Sequence, residues 1–208
     1  PAHAGPLLAV LLLSHHDNTA AIDLLTSLAK NAEPSVATAA LDRLRQINNV
    51  LGLPLARTAV ASSDAGLRRV GAEILVTQGD LAAIDSLCPL LDDRNPGVRG
   101  LVAGALIRFA ADESLVEGVL TGTMEVLNGT NWRGLEQASL VLGTLDHEPA
   151  AERLLELMHN GRPEAAVAAA WALRKLDIEA TLSPLLAFSE AAHAAMAEDA
   201  ASRHVGLQ

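Results

Sequence analysis

The sequence predicts an all-α protein built from about six repeated helical hairpins. Three observations indicate this class: half of the 208 residues are apolar but only 2% are aromatic, a leucine recurs at a nearly constant spacing, and prolines recur in step with it. Alanine and leucine lead the helix-propensity scale, whereas strands draw on aromatic and β-branched residues. An interior made of Ala, Leu and Val therefore favours close-packed helices over a sheet.

The leucine repeat defines the register of the array. The anchor leucines follow one another at spacings of 31, 31, 31, 36 and 31 residues, and they are Leu13, Leu44, Leu75, Leu106, Leu142 and Leu173. Four residues before each anchor stands a smaller apolar residue or glycine, namely Ala9, Ala40, Gly71, Val102, Ala138 and Ala169. Positions four residues apart share one face of a helix, so the two columns predict a packed stripe in every repeat. The five extra residues of the longer spacing fall within residues 112–130, where we expect a longer helix or loop.

The first helix of each repeat is predicted to begin ten residues before its anchor. Proline occupies this position in three repeats, at Pro34, Pro96 and Pro163. Its fixed φ and missing N–H suit the first residue of a helix. Short acceptor side chains, which suit the N-cap, come just before this position at Asp64, Asn95 and Asn131. We therefore expect first helices near residues 6–14, 34–47, 64–77, 95–110, 131–145 and 163–176.

Second apolar segments lie between these helices and are joined to them by short turns rich in Asn, Gly and Asp. A single hairpin cannot cover its own apolar face, so stacking of the repeats creates the core. The sequence thus predicts one array over residues 1–208, with residues 199–208 as a frayed tail. Because the first repeat lacks a polar capping helix, we expect a fragment of a longer array, or self-association through exposed terminal repeats.

The most specific stretch of the repeat is LLDDRNPGVRGLVAGALIRFA, residues 90–110, and residues 64–68 form a weaker copy of its turn. These units resemble HEAT repeats of the short bacterial kind, also found in phycobilin-lyase-type HEAT-like proteins. The resemblance covers residues 6 to about 200 and implies a right-handed α-α superhelix. In that family the turn acid and the arginine bond to one another or to the backbone. The resemblance therefore implies structural roles for Asp92, Asp93 and Arg99.

Charge and composition exclude several function classes. Fifteen Lys and Arg against 25 Asp and Glu give a net charge of -10, and no basic stripe is visible, so nucleic acid is not an expected partner. The single cysteine, Cys88, excludes a disulfide framework and is predicted to be a small buried apolar residue rather than a nucleophile. The apolar run at residues 6–13 is too short for a membrane span and lacks the charged flank of a signal peptide. We expect a cytoplasmic protein that does not bind membranes.

Two groups of residues could be taken for metal ligands. The His147-Glu148 pair is similar to those that hold two irons in the HEAT-type deoxyhypusine hydroxylases, but only one such pair is present. His15, His16 and Asp17 are adjacent in sequence, so their side chains diverge, and capping of the next helix by Asp17 or Asn18 is the favoured interpretation. The sequence therefore predicts no metal, no cofactor and no catalytic residue.

The face of the first helices opposite the packed stripe is predicted to line a concave surface. It carries the positions six and two residues before each anchor and one residue after it. In the last two repeats these positions form an apolar patch with charged neighbours, made of Glu136, Leu140, Val167, Trp171 and Arg174. The alternative is that Trp171 is buried under a helix around residues 189–200.

Exposed aromatic residues often anchor protein interfaces. The sequence therefore predicts a non-enzymatic scaffold that binds a protein partner on this concave face. The alternative function is a phycobilin-lyase-like or other ligand-handling enzyme that uses the same groove.

Overall fold

The computed structural model describes residues 4–205, with the side chains of residues 4, 14 and 197–205 excepted. The chain divides into two compact units, Pro1–Gly122 and Thr123–Gln208. Every regular element within residues 4–205 is a helix, which confirms the predicted all-α class. The last three residues of the expected tail lie outside the described residues.

The helices alternate along the chain as hairpins joined by short turns. The first unit contains α1 (Ala4–Leu12), α2 (Thr19–Leu28), α3 (Pro34–Ile47), α4 (Asn49–Val60), α5 (Ala65–Gln78), α6 (Leu81–Leu87) and α7 (Pro96–Phe109). Helix α8 (Val116–Leu127) begins in the first unit and ends in the second. The second unit continues with α9 (Trp132–Thr144), α10 (Ala151–Asn160), α11 (Pro163–Leu176) and α12 (Leu182–Val205). Short 3-10 turns extend several of these ends, at Leu13–His15, Cys88–Asp92, Glu148–Ala150 and Glu179–Thr181.

In the first unit, the odd-numbered helices stack on one another, α1 on α3, α3 on α5 and α5 on α7. The anchors Leu44, Leu75 and Leu106 are buried, as are Ala40 and Val102 one turn earlier. This confirms the predicted stripe and explains its small residues, because they let neighbouring helices approach. The even-numbered helices α2 and α4 pack against α3 and complete the hairpins.

In the second unit, α9 and α11 form the central pair, and α10 and α12 pack against α11. The anchors Leu142 and Leu173 are fully buried. A glycine permits the close approach of the central pair: a Cβ added to Gly143 would stand 2.7 Å from both Cα and Cβ of Ala172. Because carbon atoms pack at about 3.5–4.0 Å, no larger residue fits there without displacing a helix.

Local sequence signals explain where the stacked helices begin. Pro34, Pro96 and Pro163 are the first residues of α3, α7 and α11. Asp64 accepts a hydrogen bond from the N–H of Leu67, and Asn95 accepts from those of Gly97 and Val98, so both predicted N-caps are confirmed. The cap prediction was wrong at Asn131, whose side chain makes no capping hydrogen bond and lines a cavity instead.

A buried ion pair joins successive repeats of the first unit. Two guanidinium nitrogens of Arg68 donate to the carboxylate of Asp93, one of them at 2.7 Å, and a third donates to the carbonyls of Ser62 and Ser63. The side chains of Arg68 and Asp93 are only 13% and 2% exposed. Arg99 donates to the backbone carbonyl of Asp93 at 2.8 Å. The loop before α7 is thus held by one arginine from α5 and one from α7.

The carboxylate of Asp93 is stabilised in its charged form. Burial raises its pKa, but the hydrogen bonds from Arg68 and from the N–H of Asn95 lower it more, so the pKa lies below its usual value. The neighbouring Asp92, which the resemblance also marked as structural, is half-buried at the end of the 3-10 turn. Sequence reasoning named both acids and Arg99 but missed Arg68, whose partner lies 25 residues away.

Candidate functional site

The five residues of the predicted patch lie on the central helices of the second unit. Glu136 and Leu140 are one turn apart on α9, and Val167, Trp171 and Arg174 follow at steps of four and three on α11. These spacings place each group on one face of its helix. Val167 is 62% exposed, Arg174 is exposed, and the other three are half-buried.

The indole of Trp171 reaches from α11 onto α9. Its Cζ3 atom lies 3.2 Å from the position that a Cβ on Gly143 would take, so the ring edge covers this glycine. The ring is half-buried, so it keeps part of its surface in solvent. Gly143 occupies the position after the anchor Leu142, which the helical-wheel argument placed on the open face. That placement was wrong for Gly143, which is buried because α11 packs directly on it.

The two groups of residues that could be taken for metal ligands lie at helix starts and turns. Asn18 accepts a hydrogen bond from the N–H of Ala21 and caps α2, which confirms the capping interpretation of the His15–Asp17 segment. Glu148 is exposed and opens the 3-10 turn before α10. Among the described residues, no group of three or more His, Cys, Asp or Glu side chains could hold a metal ion. Cys88 is 3% exposed, as expected for a small core residue.

A second site, which sequence reasoning missed, is a cavity of about 630 Å³ in the second unit. We call it the Trp132 cavity; it lies between the start of α9 and the end of α10, and it is lined by Trp132, Leu135, Arg153, Leu157, Asn160 and Arg162 among others. The guanidinium carbons of Arg133 and Arg162 each lie over the Trp132 ring, 5.3 Å from its centre. Trp132 is the first residue of α9, and Arg162 is 30 residues away in the chain, so spacing alone gives no sign that the two residues stack.

No helix within the described part of the chain is both long enough and apolar enough to span a lipid bilayer.

Comparison with known proteins gives no family for the chain. No protein family matches it, and no curated protein does. Among solved structures it is similar to a designed armadillo repeat protein, at 15% identity and a TM-score of 0.42, over 81% of this chain and 90% of that one. It is also similar to an engineered protein, at 17% identity and a TM-score of 0.40, over 81% of this chain and 87% of that one.

The class of the protein follows from its own helices. In both units, helical hairpins stack so that the anchor leucines from Leu44 to Leu173 are buried at equivalent positions, while the first anchor, Leu13, is half-buried. The chain is therefore a helical repeat protein.

Proposed function

We propose that the chain is a non-enzymatic scaffold, of the HEAT-like type, that binds a segment of a partner protein. The binding surface in this proposal is the face of α9 and α11 that carries Val167 and Trp171. One observation carries it: a valine that is 62% exposed stands one turn from a tryptophan that is half-buried but not covered. An apolar side chain of a partner could therefore pack on both residues at once.

The surroundings of these two residues suit protein binding. Leu140 adds apolar surface on α9, while Glu136 and Arg174 provide charges that can orient a partner. The Trp171 ring is half-buried beside Gly143, so part of its side-chain freedom is already lost before a partner covers it. An aromatic group that is rigid before binding is a favourable anchor.

The ligand-handling enzyme stays a prediction that no observation favours. Self-association through the first repeat belongs to the same proposal, because Leu8, Leu11 and Leu12 of α1 are 57%, 66% and 74% exposed. A second copy of the chain would cover this apolar surface.

The binding surface is tested by affinity capture from the native source with the full chain as bait, followed by mass spectrometry. Val167→Ser removes the exposed apolar contact at no cost to the core. Val50→Ser is a matched control, because Val50 is 63% exposed but lies on α4 in the first unit. We expect Val167→Ser to reduce the captured partner and Val50→Ser to leave it unchanged, with melting temperatures similar for all three proteins.

Trp171→Ala distinguishes binding from packing. If this variant captures the partner as well as the wild type does, while its melting temperature falls strongly, Trp171 serves the core alone. Equal capture by Val167→Ser and the wild type would exclude the proposed surface.

A further inference from the structure

The Trp132 cavity occupies the same place in its repeat as the cavity that surrounds the Arg68–Asp93 ion pair in the first unit. The first-unit cavity has a volume of about 400 Å³, against about 630 Å³ for the Trp132 cavity. Their lining residues correspond at a constant offset of 67 positions, so that Arg68, Leu90 and Asp93 match Leu135, Leu157 and Asn160. The two cavities are therefore equivalent sites, each formed between the loops that precede two successive stacked helices, α5 and α7 in the first unit and α9 and α11 in the second.

The equivalent sites differ in one chemical respect. In the first unit the site contains its own carboxylate, Asp93, which accepts hydrogen bonds from a guanidinium and from a backbone N–H. In the second unit the positions of Arg68 and Asp93 are taken by Leu135 and Asn160, so the Arg68–Asp93 pair has no counterpart at these positions. The carboxylate that lines this cavity, Glu156, comes from a different position and is paired with Arg153. The larger volume of the Trp132 cavity is consistent with the absence of a pair like Arg68–Asp93, and it falls in the range of small-ligand sites.

A guanidinium is nevertheless present at the Trp132 cavity. Arg162 lies over the Trp132 ring, and stacking of this kind uses the face of the guanidinium while leaving its N–H edge free to donate. Its side chain is 63% exposed, and its nearest acid, Glu164, is 3.9 Å away and half in solvent, a pairing worth little in water. Arg162 is thus oriented by an aromatic ring and is only weakly engaged by an acid of the chain.

Arg153, the other cation among the residues that line the cavity, is already engaged. Arg153 donates to the carbonyls of Leu127 and Gly129 and forms an ion pair with Glu156 at 2.8 Å. These bonds hold the loop before α9, as Arg68 holds the loop before α5. The ion pair with Arg153 also partly offsets the charge of Glu156, which would otherwise repel an anion. Arg162 is left as the cation that an incoming anion would meet.

We propose that the Trp132 cavity binds a carboxylate side chain of an acidic peptide segment, which takes the place that Asp93 fills in the first unit. Arg162 donates to the carboxylate through its N–H edge, the pairing for which a planar guanidinium is best suited. The amides of Asn131 and Asn160 line the cavity and suit the backbone of a peptide, and Leu135 and Leu157 provide an apolar base. This site is separate from the Val167 surface, and the inference does not depend on the function proposed above.

The test uses the fluorescence of Trp132 in the full chain. Trp132 and Trp171 are the only tryptophans, so Trp171→Phe leaves a single reporter at the cavity. In this background we titrate N-acetylated pentaglutamate at low ionic strength, where charge pairing is least screened. Pentaglutamine and inorganic phosphate are titrated in parallel. We expect pentaglutamate to change the Trp132 emission saturably and pentaglutamine to leave it unchanged.

Variants of Arg162 identify the binding group. Arg162→Gln is expected to weaken pentaglutamate binding by about tenfold or more, because a charge-assisted hydrogen bond is lost. Arg162→Lys, which keeps the charge without the planar edge, should give an intermediate loss. Arg69→Gln is the matched control, since Arg69 is 64% exposed but lies on α5 in the first unit, and it should bind as the parent does.

Several results would overturn the proposal. These are an unchanged Trp132 emission in all titrations, equal binding of pentaglutamine, or equal binding by Arg162→Gln and its parent. Phosphate binding that requires Arg162, without binding of pentaglutamate, would identify a site for small anions and would exclude the peptide. Thermal unfolding of each variant verifies that it is folded. If Arg162→Gln does not fold, the affinity of Arg162→Lys for pentaglutamate decides whether Arg162 is the binding group.

Discussion

Replacing Gly143 by alanine inserts a methyl group where α9 and α11 are in direct contact. The new Cβ would stand 2.7 Å from two carbons of Ala172 and 3.2 Å from the Trp171 ring, so the helices must separate by about 1 Å to restore normal contacts. Overpacking of this kind costs about 1–3 kcal/mol. Alanine recovers at most about 0.5–1 kcal/mol relative to glycine in a helix. The difference spans about 0–2.5 kcal/mol, so we expect Gly143→Ala to destabilise the second unit by about 1 kcal/mol.

Gly100→Ala is the matched control, and the opposite sign is expected. Gly100 lies inside α7, and a Cβ added there would meet no atom within 4 Å. Only the higher helix propensity of alanine over glycine remains, so this variant should stabilise the first unit by about 0.5–1 kcal/mol. The same substitution thus has opposite effects at two helical glycines, because only one of them faces a neighbouring helix.

The assay is urea unfolding followed by two signals. Both tryptophans lie in the second unit, so their fluorescence reports that unit, while far-ultraviolet circular dichroism reports all helices. For a chain of this length, 1 kcal/mol corresponds to about 2–4 °C in melting temperature, which thermal scans can resolve. A fluorescence midpoint of Gly143→Ala at or above that of the wild type would refute the argument from helix contact.

Three further outcomes are expected. The pKa of Asp93 is lowered in the folded state, so its contribution to stability is present above the unfolded value near 3.8 and is lost as the pH falls through the folded value. Asp93→Asn should therefore be less stable than the wild type by about 3–5 kcal/mol at neutral pH, because it leaves the buried Arg68 without its acid. Urea unfolding at falling pH should show the difference in stability between the two proteins becoming smaller. In the same assay, Asn95→Ala should lower the free energy of unfolding by about 0.5–2 kcal/mol, because it removes an N-cap hydrogen bond. Asn131→Ala removes no such bond, so its free energy of unfolding should stay within about 0.5 kcal/mol of the wild type. Equal losses would contradict the assignment of the caps. If the first repeat mediates self-association, sedimentation velocity should show a smaller species for Leu12→Glu than for the wild type, and identical profiles would exclude α1 as the contact.

The core was predictable because helix periodicity carries its information locally. The anchor leucines recur every 31 residues in most repeats, and residues one turn apart on a helix share a face whatever packs on it. The burial of Leu75 and Leu106 therefore followed from spacing alone. The N-cap of α7 was equally local, because Asn95 bonds to residues two and three positions ahead.

The sites were less predictable because their partners are distant in the chain. The acid that bonds Arg68 comes from the next repeat, and Arg162, one of the two cations over Trp132, comes from the turn before α11. A comparison of equivalent positions could have suggested the first pair, since Arg68 matches Arg99 of the next repeat and Asp93 stands where the other repeats have no acid. It could not have shown that the cavity beside Trp132 is open, because a volume depends on how all the lining side chains pack.

The sequence by itself determined the class of the protein, the register of its repeats and the residues that form its core. These depend on helix propensity, on the 3.6-residue period and on proline and cap residues, all of which act within a few positions. Only the tertiary structure decided that Gly143 is buried, that Asp93 joins two repeats, and that Arg162 stands over Trp132 at an open cavity. The reason is that helix contacts and cavities arise from the distance between elements, which no local pattern encodes.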